Sequence, residues 1–361
     1  MPFIQDLLQY KSVSIVGMAK NTGKTTCLNY VLSRLEEEKR KVAVTSIGLD
    51  GEERDVLYDT LKPRIRLKKG NYFVTSEKHF AEKELDAKVI AVSQRSTALG
   101  RLITAEATSE GKVILSGPSD SLWLHECIDF LTKLGVDITL VDGALSRMSL
   151  ASPAITDAMI LCTGAACSFQ LERLIKQVKF LCELIHLPQA DDAFYKSCSS
   201  ANEGVWALTE QGTLAEKITD SLFVEHNPIS KWTTHYKHFF INGVLVDSFL
   251  KTLNLAAKQS DIHLVVRDFS RIFVHPSTYS RFTRQGGTIK VLKQAKLAAL
   301  CTNPTSPEGY RYDAKFLRDK IQNAVQLPVY DIVQIIKLTE EIDILWNKIR
   351  KSIREPNRDF T

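Results

Sequence analysis

The run SIVGMAKNTGKTTC, residues 14–27, has the residue types and spacing that hold an anion. An apolar stretch ends at Gly17, five residues from Met18 to Thr22 follow, and Gly23-Lys24-Thr25-Thr26 opens a run with helical periodicity. A glycine-rich turn at a helix start aims backbone N–H groups at a bound anion, and the helix dipole favours negative charge there. A lysine at this position neutralises the outer phosphates of a nucleotide, and the hydroxyl after it faces magnesium. The expected phosphate ligands are Gly17, Asn21, Thr22, Gly23, Lys24, Thr25 and Thr26, with Thr25 also a metal ligand. The commoner spacing has four residues between the two glycines, so the five found here are a departure from it. Against a chance Gly-Lys-Thr stands the local context, because strand, turn and helix fall where phosphate binding requires them.

Carboxylates form the second part of the constellation. DITLVDG (137–143) ends an apolar run with Asp142, where an acid can face magnesium or orient a water. Lys24 and Asp142 are therefore the expected catalytic pair. Asp50, just past the second apolar run, is a third candidate metal ligand, and a turn-forming Asp before Gly51 is an equal alternative. The following loop, GALSRMSLASPAITD (143–157), is rich in small residues and a candidate to order with the nucleotide. Its Arg147 either touches phosphate or faces solvent. No Asn-Lys-x-Asp run occurs, which favours ATP over GTP, and no hydrolytic base is identifiable. TNPTSPEGY (302–310) is either a further ligand loop or a turn shaped by its prolines.

Such residues need a layered scaffold. Apolar runs at 12–17, 41–47, 112–117, 137–143 and 157–164 read as strands buried on both faces, as in a parallel sheet. Between them, Leu28, Val31, Leu32 and Leu35 share one helical face, as do Leu171, Leu174, Ile175, Val178 and Leu181. The expected fold is α/β: a parallel-sheet nucleotide-binding domain over residues 1–190, then a second α/β portion over 203–361. The polar stretch at 189–202 marks the boundary, and the second portion either extends the sheet or packs as its own domain. Within the first domain, 55–111 is an insertion with a hairpin turning at Gly70-Asn71. Arg64, Arg66 and Lys68 share one face there, either solvated or turned toward a phosphate or partner. In the second portion, strands are expected at 238–246, 261–268, 288–292 and 296–303, with helices from about Asp247 and Asp313. A last helix carries Ile342, Leu345, Trp346 and Ile349, before a frayed end, REPNRDFT.

Composition excludes several classes. Of 361 residues, 47 are Lys or Arg and 42 Asp or Glu, a net charge of +5 that is too small and too scattered for a nucleic-acid-coating protein. Hydrophobic residues at 44% and charged ones at 25% are globular values, which exclude global disorder. The longest charge-poor stretch, Met148 to Leu171, is broken by Asp157, so no membrane span is expected. The N-terminus lacks a secretory pattern, which makes the cytoplasm the expected location. Seven cysteines (27, 127, 162, 167, 182, 198 and 301) include no Cys-x-x-Cys, so they read as reduced thiols, with Cys162 and Cys167 the closest pair. His235 and His238 read as a polar surface run.

The spacing between Gly17 and Gly23, with VDGA at 141–144, resembles the nucleotide loop and strand end of dethiobiotin synthetase-like P-loop proteins. That resemblance covers about the first 170 residues and implies a P-loop NTPase domain with ATP and Mg2+ as cofactors. Over a longer span, GMAKNTGKTTCLNY, TSIGLDGE, TALGRLITAEA, VDGALSRMSLASPAITDAMILCTGA and TNPTSPEGYRYD resemble the P-loop subunit of the lysine 5,6-aminomutase reactivase. This second resemblance implies ATP-dependent reactivation of a cobalamin-dependent aminomutase, by exchange of damaged cobalamin for adenosylcobalamin, with a MutS-like ATPase subunit as partner. No Asp-x-His-x-x-Gly motif occurs, which fits an accessory ATPase rather than the mutase. The alternative is a stand-alone ligase of the dethiobiotin synthetase type, activating a small carboxylate. A nucleotide-binding module without turnover is a third reading.

Overall fold

The computed structural model describes residues 2–47, 64–144, 152, 155–220, 232–256 and 261–354. In chain order the first part runs α1 (Ile4–Leu7), β1 (Ser12–Gly17), α2 (Lys24–Glu37), β2 (Val42–Ser46), β3 (Ile65–Leu67), β4 (Tyr72–Ser76) and α3 (Glu77–Ala81). It continues through β5 (Ala87–Thr97), β6 (Gly100–Ala107), β7 (Gly111–Val113), α4 (Ser121–Lys133), β8 (Ile138–Ala144), β9 (Ala158–Gly164) and α5 (Leu171–Ile185). The middle part holds α6 (Asp192–Cys198), β10 (Gly204–Leu208), β11 (Leu214–Thr219), β12 (His238–Asn242), β13 (Leu245–Val246), α7 (Asp247–Ala256) and β14 (His263–Val266). Last come β15 (Ile272–Phe273), α8 (Pro276–Arg284), β16 (Thr288–Val291), β17 (Leu297–Asn303), α9 (Ala314–Val325), β18 (Val329–Asp331) and α10 (Ile332–Arg354).

The chain is a mixed α/β protein. Its main sheet has nine strands in the order β18-β17-β9-β1-β8-β2-β4-β6-β5. Pairing is parallel from β18 to β4, and β6 and β5 close one side antiparallel. Period-two alternation sends Val13 and Ile15 of β1, with Ala158, Ile160 and Cys162 of β9, to a core shared with α2. Val16, Met159 and Leu161 point to the opposite core, which contains the apolar stripe of α5. The central strands therefore carry apolar residues on both faces, the pattern that makes parallel strands readable as continuous apolar runs.

Residues 204–291 build a second sheet of five strands, β11-β10-β12-β14-β16. Its Phe239, Ile241 and Leu264 meet Leu174 and Val178 of α5 in one cluster. The chain then returns, and β17 pairs with β9 in the main sheet. Residues after 203 thus both extend the first sheet and form one of their own.

Three expectations need correction. No hairpin joins β3 to β4: β3 pairs antiparallel with β7, while β4 joins β2 and β6. The turn itself is present, with Gly70 at φ 93° and Asn71 N–H donating to Lys68 O at 3.1 Å. The run 112–117 is a strand only to Val113, and it lies outside the main sheet. Beyond it, polar side chains replace a ladder: Thr75 Oγ1 donates to Ile114 O at 2.7 Å, and Ser116 Oγ accepts from Ser76 N–H at 2.9 Å. Finally, 238–246 is split, because Asn242 Nδ2 turns to Ala201 O at 2.7 Å and β13 pairs with β15 instead. Among the described residues no helix is long and apolar enough to cross a membrane.

Candidate functional site

β1 is buried along its whole length between β8 and β9, and it ends at Gly17 beside Ala144 and Cys162. Met18 N–H donates to Cys162 O at 2.9 Å, which fixes where the chain leaves the sheet. The next residues curl tightly. Asn21 (φ 61°) and Gly23 (φ 86°) are both left-handed, and between them Thr22 is 2% exposed, its hydroxyl donating to Ala19 O at 3.0 Å. Gly23, the N-cap of the 14-residue helix α2, makes no side-chain cap hydrogen bond, and the Asn303 side chain lies beside it.

Lys24 folds back over the turn and places its Nζ 2.9 Å from Gly143 O, the carbonyl next to Asp142. The loop, the lysine and the end of β8 are thereby brought together. Asp142 lies level with Ile15 on one side and Ser46 on the other, half-buried, with Oδ1 screened from solvent. Thr25 and Thr26 are half-buried in the first turn of α2. Asp50 and Arg147 lie outside the described residues.

A phosphate group would meet Lys24 and the glycine turn here. A Cβ on Gly17 would stand 2.5 Å from Thr22 Oγ1 and 2.8 Å from Lys24 Cγ, so only glycine lets the lysine lie across the turn. The lysine already rests on an oxygen acceptor that an anion could replace. Among the described residues no group of three or more His, Cys, Asp and Glu could hold a metal ion. A magnesium ion here would draw on Thr25 and Asp142, with phosphate and water oxygens completing its shell.

Two features of the site escaped sequence reasoning. Asn303, at the end of β17, donates from Nδ2 to Asn21 O at 3.0 Å, and its backbone closes on Gly164 so tightly that a Cβ there would lie 2.0 Å from Asn303 O. Tyr310 and Tyr312 anchor the following loop by donating to Ala165 O and Ser168 O. Segment 302–312 thus packs against the loop after β1 and the end of β9, a position compatible with either reading of it. The second feature is a thiol cluster directly behind the loop: Cys27, Cys162 and Cys301 are all buried, with Cys27 Sγ 3.9 Å from Cys301 Sγ. Hydrogen bonds from Cys27 and Cys301 hold the Cys162 thiol well below its usual range against burial, and Lys24 adds to this. Hydrogen bonding to Cys162, together with burial, pushes Cys27 and Cys301 up. Cys167 instead meets Thr163 at 3.7 Å, so Cys162 keeps company with two distant cysteines rather than its sequence neighbour.

The basic face resolves into ion pairs: Arg64 with Glu84, Arg66 with Glu110 at 2.9 Å, and Lys68 with Glu36 at 3.1 Å. These pairs support the solvated-face reading. His238 stacks on His263 with centroids 4.6 Å apart, and burial lowers its pKa. Beside Met18 and Ala19 opens a cleft of about 690 Å³, walled by Phe180 and Leu184 of α5 and by Phe273, Val274 and His275. No lysine or arginine lines it among the described residues, and its carboxylate is Asp247. Comparison of the chain with protein-family models, curated proteins and solved structures gave no match.

Proposed function

We propose that this chain is a magnesium-dependent ATP-binding protein whose ATP hydrolysis serves a partner enzyme. The observation that carries the reading is the Lys24 Nζ contact with Gly143 O at 2.9 Å, across a turn that admits only glycine at position 17. In this reading Lys24 stabilises charge on the β- and γ-phosphates, Thr25 ligates the metal, and Asp142 holds a metal-bound water. Asn303, held to Asn21, keeps the loop closed from its outer side. The bound ion supplies charge neutralisation between the phosphates. Gly17, Asn21, Thr22, Gly23 and Thr26 position the loop around the anion.

For the biological role we propose reactivation of a cobalamin-dependent lysine 5,6-aminomutase by cofactor exchange, together with a MutS-like ATPase subunit. This rests on the sequence resemblance.

Calorimetric titration with Mg-ATP tests the binding site. Lys24→Ala removes a charge-assisted phosphate contact and should weaken binding about a hundredfold, or about 3 kcal/mol. Equal affinity in the two proteins would end the assignment. Recovery of an aminomutase or a MutS-like ATPase in a pull-down that depends on ATP against ADP tests the role. Turnover of a small carboxylate by the purified chain, with no partner recovered, would instead establish the ligase.

A further inference from the structure

Helices α5 and α8 and the end of α9 enclose a second cleft, of about 620 Å³. It opens on a different flank of α5 from the cleft beside Met18, and the two share only Phe180 and Pro276. Its volume is that of a small-molecule site. Phe180, Pro276, Val325 and Leu327 give it apolar walls, whereas its charged side chains, Lys176, Lys179 and Glu183, all come from α5.

The charges of this cleft are left uncompensated. Spacings of three and four residues bring the two lysines and the glutamate onto one helical face, but an acid four residues after a base is the weaker order for a helical ion pair. None closes here, and neither lysine has an ion-pair or hydrogen-bond partner among the described residues. Two ammonium groups one turn apart repel each other, and an anion held by both relieves that repulsion. From α8 comes a donor for the same anion. Tyr279 lines the cleft, is only 6% exposed, and packs edge-on against Phe180 with ring centroids 5.4 Å apart. Its hydroxyl has no hydrogen-bond partner among the described residues. Burial, with Glu183 adding to it, pushes its pKa up to about 12, so the hydroxyl keeps its proton. A largely buried donor left unpaired is costly, and a ligand oxygen would satisfy it. We propose that this cleft is a ligand site, separate from the phosphate turn, for a small organic anion whose carboxylate or phosphate head meets Lys176, Lys179 and Tyr279 and whose apolar body lies against Phe180 and Val325. An uncharged ligand would leave both ammonium groups uncompensated, and a cation would be repelled by them.

Fluorescence titration of the full chain without nucleotide tests the site, with anilinonaphthalene sulfonate, an organic anion that brightens in apolar surroundings, as the probe. Saturable binding is expected. Lys176→Gln with Lys179→Gln should weaken it about tenfold, and Glu183→Gln, which removes the opposing charge, should tighten it about threefold. All three positions are exposed on α5, so these changes leave the core intact. Tyr279→Phe breaks no hydrogen bond within the fold and should weaken the probe about threefold. Phenylnaphthylamine, which has the same rings and no charge, should bind all of these proteins alike. Thermal melts check that each variant folds. Benzoate and phenyl phosphate should displace the sulfonate, and the stronger competitor identifies the head as carboxylate or phosphate. Sulfonate affinity unchanged by the lysine or glutamate substitutions, a parallel loss of the neutral probe, or displacement by neither competitor would each overturn the proposal.

Discussion

One methyl group at Gly17 would test the site more sharply than removal of a charge. An alanine Cβ there would press on Thr22 Oγ1 at 2.5 Å and on Lys24 Cγ and Cδ at 2.8 Å. All three are side-chain atoms, so the chain can relieve the clash by moving the lysine off the turn. The strain left in the fold is then at most about 1–3 kcal/mol, while Lys24 leaves the position from which the proposed phosphate contact would form. Gly17→Ala should therefore bind Mg-ATP at least about tenfold more weakly, yet melt within about 5 °C of the wild type. Calorimetry and a thermal melt on the same sample measure both, and unchanged binding would count against the role of the turn. Gly17, Gly23 and Lys24 were legible in the sequence because strand, turn and helix are local to them. Asn303 and the thiol cluster were not. Asn303 is 282 residues from Asn21, and Cys301 is 274 from Cys27. Both contacts depend on how β17 is registered on β9, which no spacing within one segment records.

Among the elements, α7 and α8 share an apolar cluster, Leu250 and Leu253 with Tyr279 and Phe282, and are also bridged by one carboxylate. Asp247 opens α7, pairs with Lys251 one turn on at 2.7 Å, and accepts the N–H of His275, the residue before α8, at 2.9 Å. Burial acts to raise its pKa, but Lys251, the His275 N–H and Thr278 outweigh this and hold it at about 2, below the ordinary 3.8. A depressed carboxylate pKa contributes stability that is present above the unfolded value. That contribution is lost as pH falls from about 4 toward 2. Asp247→Asn should cost about 1 kcal/mol at neutral pH, a figure kept small because part of the group meets solvent. The deficit should shrink below pH 4 and vanish near pH 2. Urea unfolding across that range measures it, and a constant deficit would show that the packing of Asp247, not its charge, matters. The start of this helix was visible in the sequence, as was that of α9, where Asp313 caps by accepting from Phe316 N–H at 2.7 Å. The run at 112–117 misled because Val113 and Leu115 are buried. Burial makes a strand-like pattern, while the hydroxyls of Thr75 and Ser116 supply hydrogen bonds that a ladder would otherwise make.

For the molecule as a whole, the polar stretch at 189–202 suggests that the first part could stand alone, and the sheet order argues otherwise. β9 is paired on one side by β1 and on the other by β17, so a chain ending at residue 202 would leave β9 as an open parallel edge. The same cut would strip Ala299, Cys301 and Ile332 from the core beneath α2. It would also uncover Leu174, Val178 and Leu181 of α5, whose partners include Phe239, Ile241, Leu264 and Phe282. Uncovering one leucine-sized side chain costs about 1.5–3 kcal/mol, and a domain has only about 5–15 kcal/mol in reserve. The return of the chain at 297 was hidden because the apolar run KLAALCTN reads alike whichever sheet it joins. A fragment of residues 1–202 should accordingly lack a cooperative melt and aggregate, even though it contains every proposed phosphate ligand and Asp142. Calorimetric scanning of the fragment beside the full chain decides the matter. A sharp transition near that of the full chain, with Mg-ATP still bound, would mean that β17 and the second sheet are additions to a fold that is complete without them.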